Sequence, residues 1–314
     1  MVHVPSLAIV VPCYNEEEVL PETCRRMAKK LEALMEQELV SEKSCILFVD
    51  DGSSDRTWEL IDDLSQEIQQ VRGIKLSRNR GHQNALLAGL MSADRDICVS
   101  IDADLQDDIN AIDEMVEKYK QGCDIVYGVR STREMDTAFK RNTAESYYRL
   151  LKHFGVDLIY NHADDRLMSK KAVNALKEFS EVNLFLRGLV PMLGFRSDTV
   201  FYERSERFAG ESKYPLGKML AFAVEGITAF SNVPLRLITA LGLLVSIGAF
   251  AMVFWVMWTV AFTQSVVPGW ASTVVPMFFL GVVQLLSLGV VGEYVSKIYM
   301  ETKRRPHYLI EKSV

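Results

Sequence analysis

The sequence predicts an α/β domain with a mostly parallel sheet, joined to two membrane-spanning helices. Three observations predict it. Short apolar runs alternate with amphipathic stretches from Leu7 to Tyr127. Acidic clusters follow several of those runs, as at positions 100–108, "SIDADLQDD". From Leu237 to Gly292 there is no Asp, Glu, Lys, Arg or His.

The soluble elements follow in order. Leu7–Val11 is a solid apolar run, and residues 16–39 carry Val19, Met27, Leu31 and Leu34 at helical spacing. Ile46–Val49 is a second strand-like run. The turn Gly52-Ser53-Ser54-Asp55 then offers caps to a helix reaching about Gln69. Ile74–Leu76, a helix over 82–93, Ile97–Ile101, a helix near 109–121 and Ile125–Tyr127 complete the series. Strands that alternate with helices imply a sheet covered on both faces.

The uncharged stretch is long enough for two spans of roughly 20 residues each. It breaks at Thr263-Gln264-Ser265 and Pro268-Gly269, so the spans are placed at 237–262 and 273–295. Neither has the polar face of a soluble helix. Lys213, Lys218 and Arg236 precede the first span; Lys297, Lys303, Arg304 and Arg305 follow the second. The positive-inside rule puts both termini in the cytoplasm. No signal peptide is predicted. The chain divides into a domain over 1–210, a juxtamembrane segment over 211–235, a membrane region over 236–298 and a tail over 299–314.

Net charge is −6 with no long basic run, which argues against nucleic acid as a partner. The cysteines Cys13, Cys24, Cys45, Cys98 and Cys123 form no C-x-x-C and read as reduced residues of a cytosolic domain.

In parallel sheets, ligands sit beyond the carboxyl ends of the strands. The first run ends at Pro12-Cys13-Tyr14-Asn15-Glu16, the second at Asp50-Asp51-Gly52, the fourth at Asp102-Ala103-Asp104. All three clusters are expected at one edge. A single Asp after a strand is usually a helix cap, but three such clusters call for another reading. Neither G-x-G-x-x-G after the first strand nor G-x-x-x-x-G-K-[ST] is present, which removes the main dehydrogenase and P-loop signals. Asp102 and Asp104 alternate along an extended stretch and can aim into one site. Such hard oxygen donors suit Mg²⁺ or Mn²⁺ held with substrate phosphates.

"VVPCYNEEEVLP" (10–21), "VDDGSSDRT" (49–57), "RNRGHQNALLAG" (78–89) and "DADLQDD" (102–108) resemble family 2 glycosyltransferases with the GT-A fold. "VYGVRSTR" (126–133), "DDRLMS" (164–169), "FAGESKYPLGKML" (208–220) and "GEYVSKIYMETKRRPHY" (292–308) narrow the resemblance to polyprenyl-phosphate glycosyltransferases. That group includes bactoprenol glucosyltransferases and, more distantly, dolichol-phosphate mannose synthases. The resemblance implies inverting transfer of a sugar from a nucleotide-sugar, UDP-glucose by preference, to the phosphate of undecaprenyl phosphate at the inner membrane. It assigns Pro12, Tyr14, Glu16 and Asp50 to the nucleoside with Asp51 close by. Asp102, Asp104 and Gln106 fall to the metal and donor diphosphate. The sequence departs from the family at Asp108-Ile109, where the pattern reads D-P-P after Gln106, and at Ala163-Asp164-Asp165-Arg166-Leu167, where it reads G-D-F-R-L. Asp164 aligns with the family Asp, where it would orient a sugar hydroxyl, steady an Arg or act as a base. The acceptor phosphate is already anionic, so cations matter more than a base. Arg130, Arg133, Lys140, Arg141 and Lys213 are the cations in family-like positions. The resemblance also implies a homo-oligomer in the membrane.

Two segments are candidates for the bilayer surface. Residues 137–153 mix Phe139, Tyr147, Tyr148, Leu150 and Leu151 with basic residues, and 215–232 carry Leu216, Met219, Leu220, Ala223, Ile227 and Phe230 at helical spacing. Three other readings compete with this one, and the first fails because this chain has neither of its marks. A processive polysaccharide synthase would carry Q-x-x-R-W and more spans. A membrane-anchored nucleotide-sugar sensor or assembly subunit would make no product. A transferase of the same class could use an N-acetylated or amino sugar.

Overall fold

The computed structural model of the chain describes residues 4–131, 162–179, 181, 184–203, 233–262 and 269–314. The first elements are β1 (Leu7–Cys13), α1 (Leu20–Glu36), β2 (Cys45–Asp50), α2 (Thr57–Glu67), β3 (Val71–Leu76), α3 (His82–Ser92), β4 (Ile97–Ser100), α4 (Ala111–Lys120) and β5 (Ile125–Arg130). Then come β6 (His162–Ser169), α5 (Lys170–Leu176), α6 (Leu186–Met192), β7 (Ser197–Tyr202), α7 (Val233–Phe262), α8 (Trp270–Lys303) and β8 (Ile310–Ser313).

The strands form one sheet in the order β7-β5-β6-β4-β1-β2-β3-β8. β1 runs parallel to β2 and β4, β2 to β3, and β5 to β7. β6 lies antiparallel between β4 and β5, and β8 antiparallel on β3. Burial on both faces explains the unbroken apolar runs of β1 and β2. Leu7, Ile9 and Val11 join the core beneath α1 and α4; Ala8 and Val10 join the core beneath α3. α1 buries Leu20, Cys24, Met27, Leu31 and Leu34, the three-and-four spacing of one helix face. All five cysteines are unpaired and buried.

The sequence reading named neither β6 nor β7. β6 carries Asp164, Asp165 and Arg166 in its middle, so no apolar run marks it. β7 alternates exposed and buried positions, with Val200 and Tyr202 inward. α8 continues to Lys303, and within the tail residues 310–313 form an edge strand of the sheet, antiparallel to β3. Gly73 and Val314 exchange backbone hydrogen bonds, each N–H donating to the other's carbonyl at 2.9 Å.

α7 and α8 are about 45 and 51 Å long at 1.5 Å per residue, more than a bilayer core requires. Their most apolar windows, in Val233–Met252 and Phe279–Lys303, are not buried against protein. Leu244, Ile247, Phe254, Trp258, Leu285 and Leu288 are exposed, a surface suited to lipid and costly in water. Residues 233–235, assigned to the juxtamembrane segment, begin α7. The candidate interfacial helix 137–153, the stretch 211–232 and the loop 263–268 lie outside the described residues.

Candidate active site

The loops after β1, β2 and β4 meet at one sheet edge because these strands are parallel neighbours in register. Side chains stitch the first two loops together. The Asn15 amide donates to Ser53 Oγ at 3.0 Å, and the Glu16 amide to Thr57 Oγ1 at 2.9 Å. Asn15 Oδ1 in turn accepts from the Ser54 amide at 2.9 Å. Asn15 holds φ +54°, a conformation that Asn tolerates better than most residues. Pro12 lies in β1 opposite Val49, and Tyr14 is exposed at the mouth of the loop.

Asp50 and Asp51 behave differently. Asp50 is fully buried; its Oδ1 accepts from the Ser53 amide at 3.1 Å, and its Oδ2 has no hydrogen-bond partner. Burial pushes its carboxyl up. An unpaired buried oxygen at a strand end is what a ligand N–H would satisfy. Asp51 spends both oxygens on the chain, accepting from the Arg80 amide at 2.7 Å and the Gly81 amide at 2.8 Å. It therefore fixes the loop before α3. Gly52, at φ +68°, allows that loop to pass: a Cβ there would lie 2.6 Å from the Arg78 carbonyl carbon.

Beyond β4, the Asp102–Gln106 turn is shaped from within. Gln106 donates its amide to Asp104 Oδ1 at 3.2 Å, and Leu105 has φ +56°. Asp102 is half-buried, and its carboxyl is pushed up to about 6. Burial is the main cause; His82 opposes it, and the charges of Asp164, Asp107 and Asp104 add to it. That crowding of negative charge fits a site for a divalent ion. Among the described residues no group of three or more His, Cys, Asp and Glu is placed to hold one. A carboxylate pair is the small share Mg²⁺ commonly takes from a protein alongside phosphates and water.

β6 crosses this edge and separates its two aspartates by simple alternation. Asp164 faces α3 and α6. Its Oδ1 accepts from Arg187 Nε at 2.9 Å and its Oδ2 from Arg187 Nη2 at 2.8 Å, while Arg166 Nη2 donates to Oδ1 at 3.1 Å. Burial would raise this carboxyl, but the charges of Arg187 and Arg166 hold it well below the usual carboxylate range. His82 Nε2, at the start of α3, stands 3.5 Å from Asp102 Oδ1 and 3.8 Å from Asp164 Oδ2. Asp165 points to the opposite face, towards Tyr202, so that Asp164 is the aspartate of β6 on the side of His82 and Arg187.

Arg130 ends β5. Its Nε and Nη2 donate to Asp107 Oδ1 and Oδ2, both at 3.0 Å. The expected bidentate fork thus has one edge committed to a carboxylate. Arg133, Lys140, Arg141 and Lys213 lie outside the described residues. Sequence reasoning missed His82, Arg187 and Arg166 as site residues, together with Asp107 as the partner of Arg130. His82 lies inside a quoted motif, and Arg166 directly follows the Asp164-Asp165 pair; only Arg187 had no local signal.

The mixed sheet, the acidic C-terminal edge and the D-x-D turn together define a GT-A glycosyltransferase domain. The Glycosyl transferase family 2 model matches residues 8–176, and the chain belongs to that family. It is 52% identical to the uncharacterized glycosyltransferase YkoT of Bacillus subtilis (strain 168), over 98% of this chain and 91% of that protein. It is 39% identical to the SfII prophage-derived bactoprenol glucosyl transferase of Shigella flexneri, over 98% of each chain. Among solved structures, mannosyl-3-phosphoglycerate synthase from Rubrobacter xylanophilus aligns over 74% of each chain at 16% identity and TM-score 0.49.

Proposed function

We propose that this enzyme transfers a sugar, glucose from UDP-glucose, to the phosphate of undecaprenyl phosphate, with inversion at the anomeric carbon. The observation that carries the reading is the charge layout at one sheet edge. His82 lies within 4 Å of both Asp102, on which the charges of Asp107 and Asp104 bear, and Asp164, which holds two arginines. The first half suits a metal-bound diphosphate, the second an incoming anion and the sugar between them. Full-length likeness to bactoprenol glucosyl transferases supports the lipid acceptor.

Each residue then has a physical task. Pro12, Tyr14 and Glu16 line the nucleoside end, and the unpaired Oδ2 of Asp50 receives an N–H of the base. Asp51 shapes the pocket through the Arg80 and Gly81 amides. Asp102, Asp104 and Gln106 would hold Mg²⁺ or Mn²⁺. When bound, that ion supplies Lewis-acid stabilisation of the departing diphosphate. The acceptor phosphate is anionic near neutral pH and needs little help from a base. Asp164, kept ionised by Arg187 and Arg166, is a weak base. Its role is to fix Arg187 and to receive a sugar hydroxyl. Arg130, oriented by Asp107, meets the acceptor phosphate, with Arg133, Lys140, Arg141 and Lys213 adding positive charge towards the headgroups.

The same reading puts the catalytic domain and both termini in the cytoplasm, with α7 and α8 crossing the membrane. The C-terminal strand β8 supports it, because the chain must return to the side of the sheet it left. Asp104→Asn tests the metal assignment. Transfer should fall about 100-fold or more while melting temperature and membrane insertion stay unchanged. Near-wild-type turnover at saturating metal would contradict it.

A further inference from the structure

Opposite the face that carries Asp164, four ionisable side chains form a buried chain. Asp165, Tyr202 and Asp107 are only 5–6% exposed. The Tyr202 hydroxyl oxygen lies 2.8 Å from Asp107 Oδ1 and 3.1 Å from Asp165 Oδ2. Asp107 also accepts both donors of Arg130. The arrangement is built into the strands. Arg130 of β5 pairs with Tyr202 of β7, and Gly128 clears the space between, since a Cβ there would stand 2.9 Å from Tyr202 Cε1 and 3.2 Å from Asp165 Cβ.

Counting protons makes this chain informative. A tyrosine hydroxyl has one hydrogen, yet Tyr202 lies within hydrogen-bond distance of two carboxyl groups. If it donates to one, the other contact needs a hydrogen from the carboxyl itself. Asp107 accepts both edge donors of Arg130 and is the carboxyl nearer the Tyr202 hydroxyl, so the available hydrogens converge on it. Among the described residues, Asp165 has no cationic partner at hydrogen-bond distance, and its Oδ1 is buried without a hydrogen bond. An ionised Asp165 would put a second carboxylate beside the Arg130–Asp107 pair, with Arg130 the one cation near both among the described residues.

We infer that Asp165 is a neutral carboxylic acid that donates to Tyr202, which donates to Asp107, so that Asp165 and Tyr202 are positioning residues for Arg130 and for the turn bearing Asp102 and Asp104. The direction of the Asp165 shift agrees: burial first, then the charges of Asp107 and Asp102, push its carboxyl well up. With Asp165 neutral, one carboxylate balances one guanidinium, and the chain satisfies the usual demand that buried charges be paired. The consequence for catalysis rests on the proposed acceptor role of Arg130; the protonation itself does not.

The test uses the full-length protein in detergent or nanodiscs near pH 7.5. Infrared difference spectra between wild type and Asp165→Asn should show a carboxylic-acid carbonyl band that the variant lacks. This arm needs no substrate, so it stands apart from the acceptor reading. Asn is a neutral donor of similar shape, and transfer by Asp165→Asn should stay within about threefold of wild type. Tyr202→Phe breaks the chain at its centre and should raise the KM for undecaprenyl phosphate about tenfold, the scale of one lost hydrogen bond to a charged group. Nucleotide affinity measured by calorimetry should not change. No band assignable to Asp165, or an Asp165→Asn loss as large as that of Asp107→Asn, would overturn the protonated state. An unchanged lipid KM in Tyr202→Phe, with the infrared band intact, would refute the positioning role and leave the proton assignment standing.

Discussion

Asp164 shows most plainly how far single residues could be read. The sequence aligns it with the family Asp, and strand alternation sends Asp165 beside it to the other face. The pairing with Arg187 was not legible, because it joins residues far apart in sequence. The pair has a stability consequence. The folded-state carboxyl lies below its unfolded value of about 3.9, so its contribution is present above that pH and lost as pH falls through the folded value. Arg166 is only 1% exposed, and removing its carboxylate leaves a buried charge without compensation. Asp164→Ala should therefore cost about 3 kcal/mol of stability at pH 7, read by thermal or denaturant unfolding. The difference from wild type should shrink at pH values below about 4. Equal stabilities at pH 7 would mean that the buried arginine finds other partners.

At the level of elements, the first five strands and four helices were legible because each is buried on one or both faces and shows it as an apolar run or a three-and-four spacing. Boundaries moved by a few residues, and β5 extended to Arg130. β6 was hidden by its own composition: Asp164, Asp165 and Arg166 occupy the positions that would otherwise signal a strand. α3 links packing to chemistry. It begins at His82 and crosses β1 and β2 at Gly89, where a Cβ would stand 2.3 Å from Val10 Cγ1 and 2.8 Å from Val49 Cγ2. Gly89→Ala should push the helix outward and cost about 1–3 kcal/mol. With His82 displaced from Asp102 and Asp164, transfer should fall more than nucleotide affinity does. Melting curves, calorimetry and initial rates measured on one preparation would separate the effects.

For the whole molecule, the division into a catalytic domain and two apolar spans was plain in the charge pattern, whereas the return of the C-terminus to the sheet was not. Four exposed residues at a chain end carry too little pattern to mark a strand. β8 caps the edge beside β3, whose far end leads into the loop held by Asp51. Deleting residues 309–314 should uncover that edge, lower the melting temperature and promote aggregation, as unpaired edge strands do. Cysteine labelling at position 265 should succeed only from outside the cell, and a reporter after Val314 should be cytoplasmic. The most direct test of the central claim is lipid labelling. Purified protein, Mg²⁺ or Mn²⁺ and undecaprenyl phosphate would be incubated with each of a panel of radiolabelled nucleotide-sugars. Label should pass into the lipid-soluble fraction, with UDP-glucose the most effective donor, and should vanish without undecaprenyl phosphate. Tight nucleotide binding with no lipid-soluble label from any donor would contradict the account.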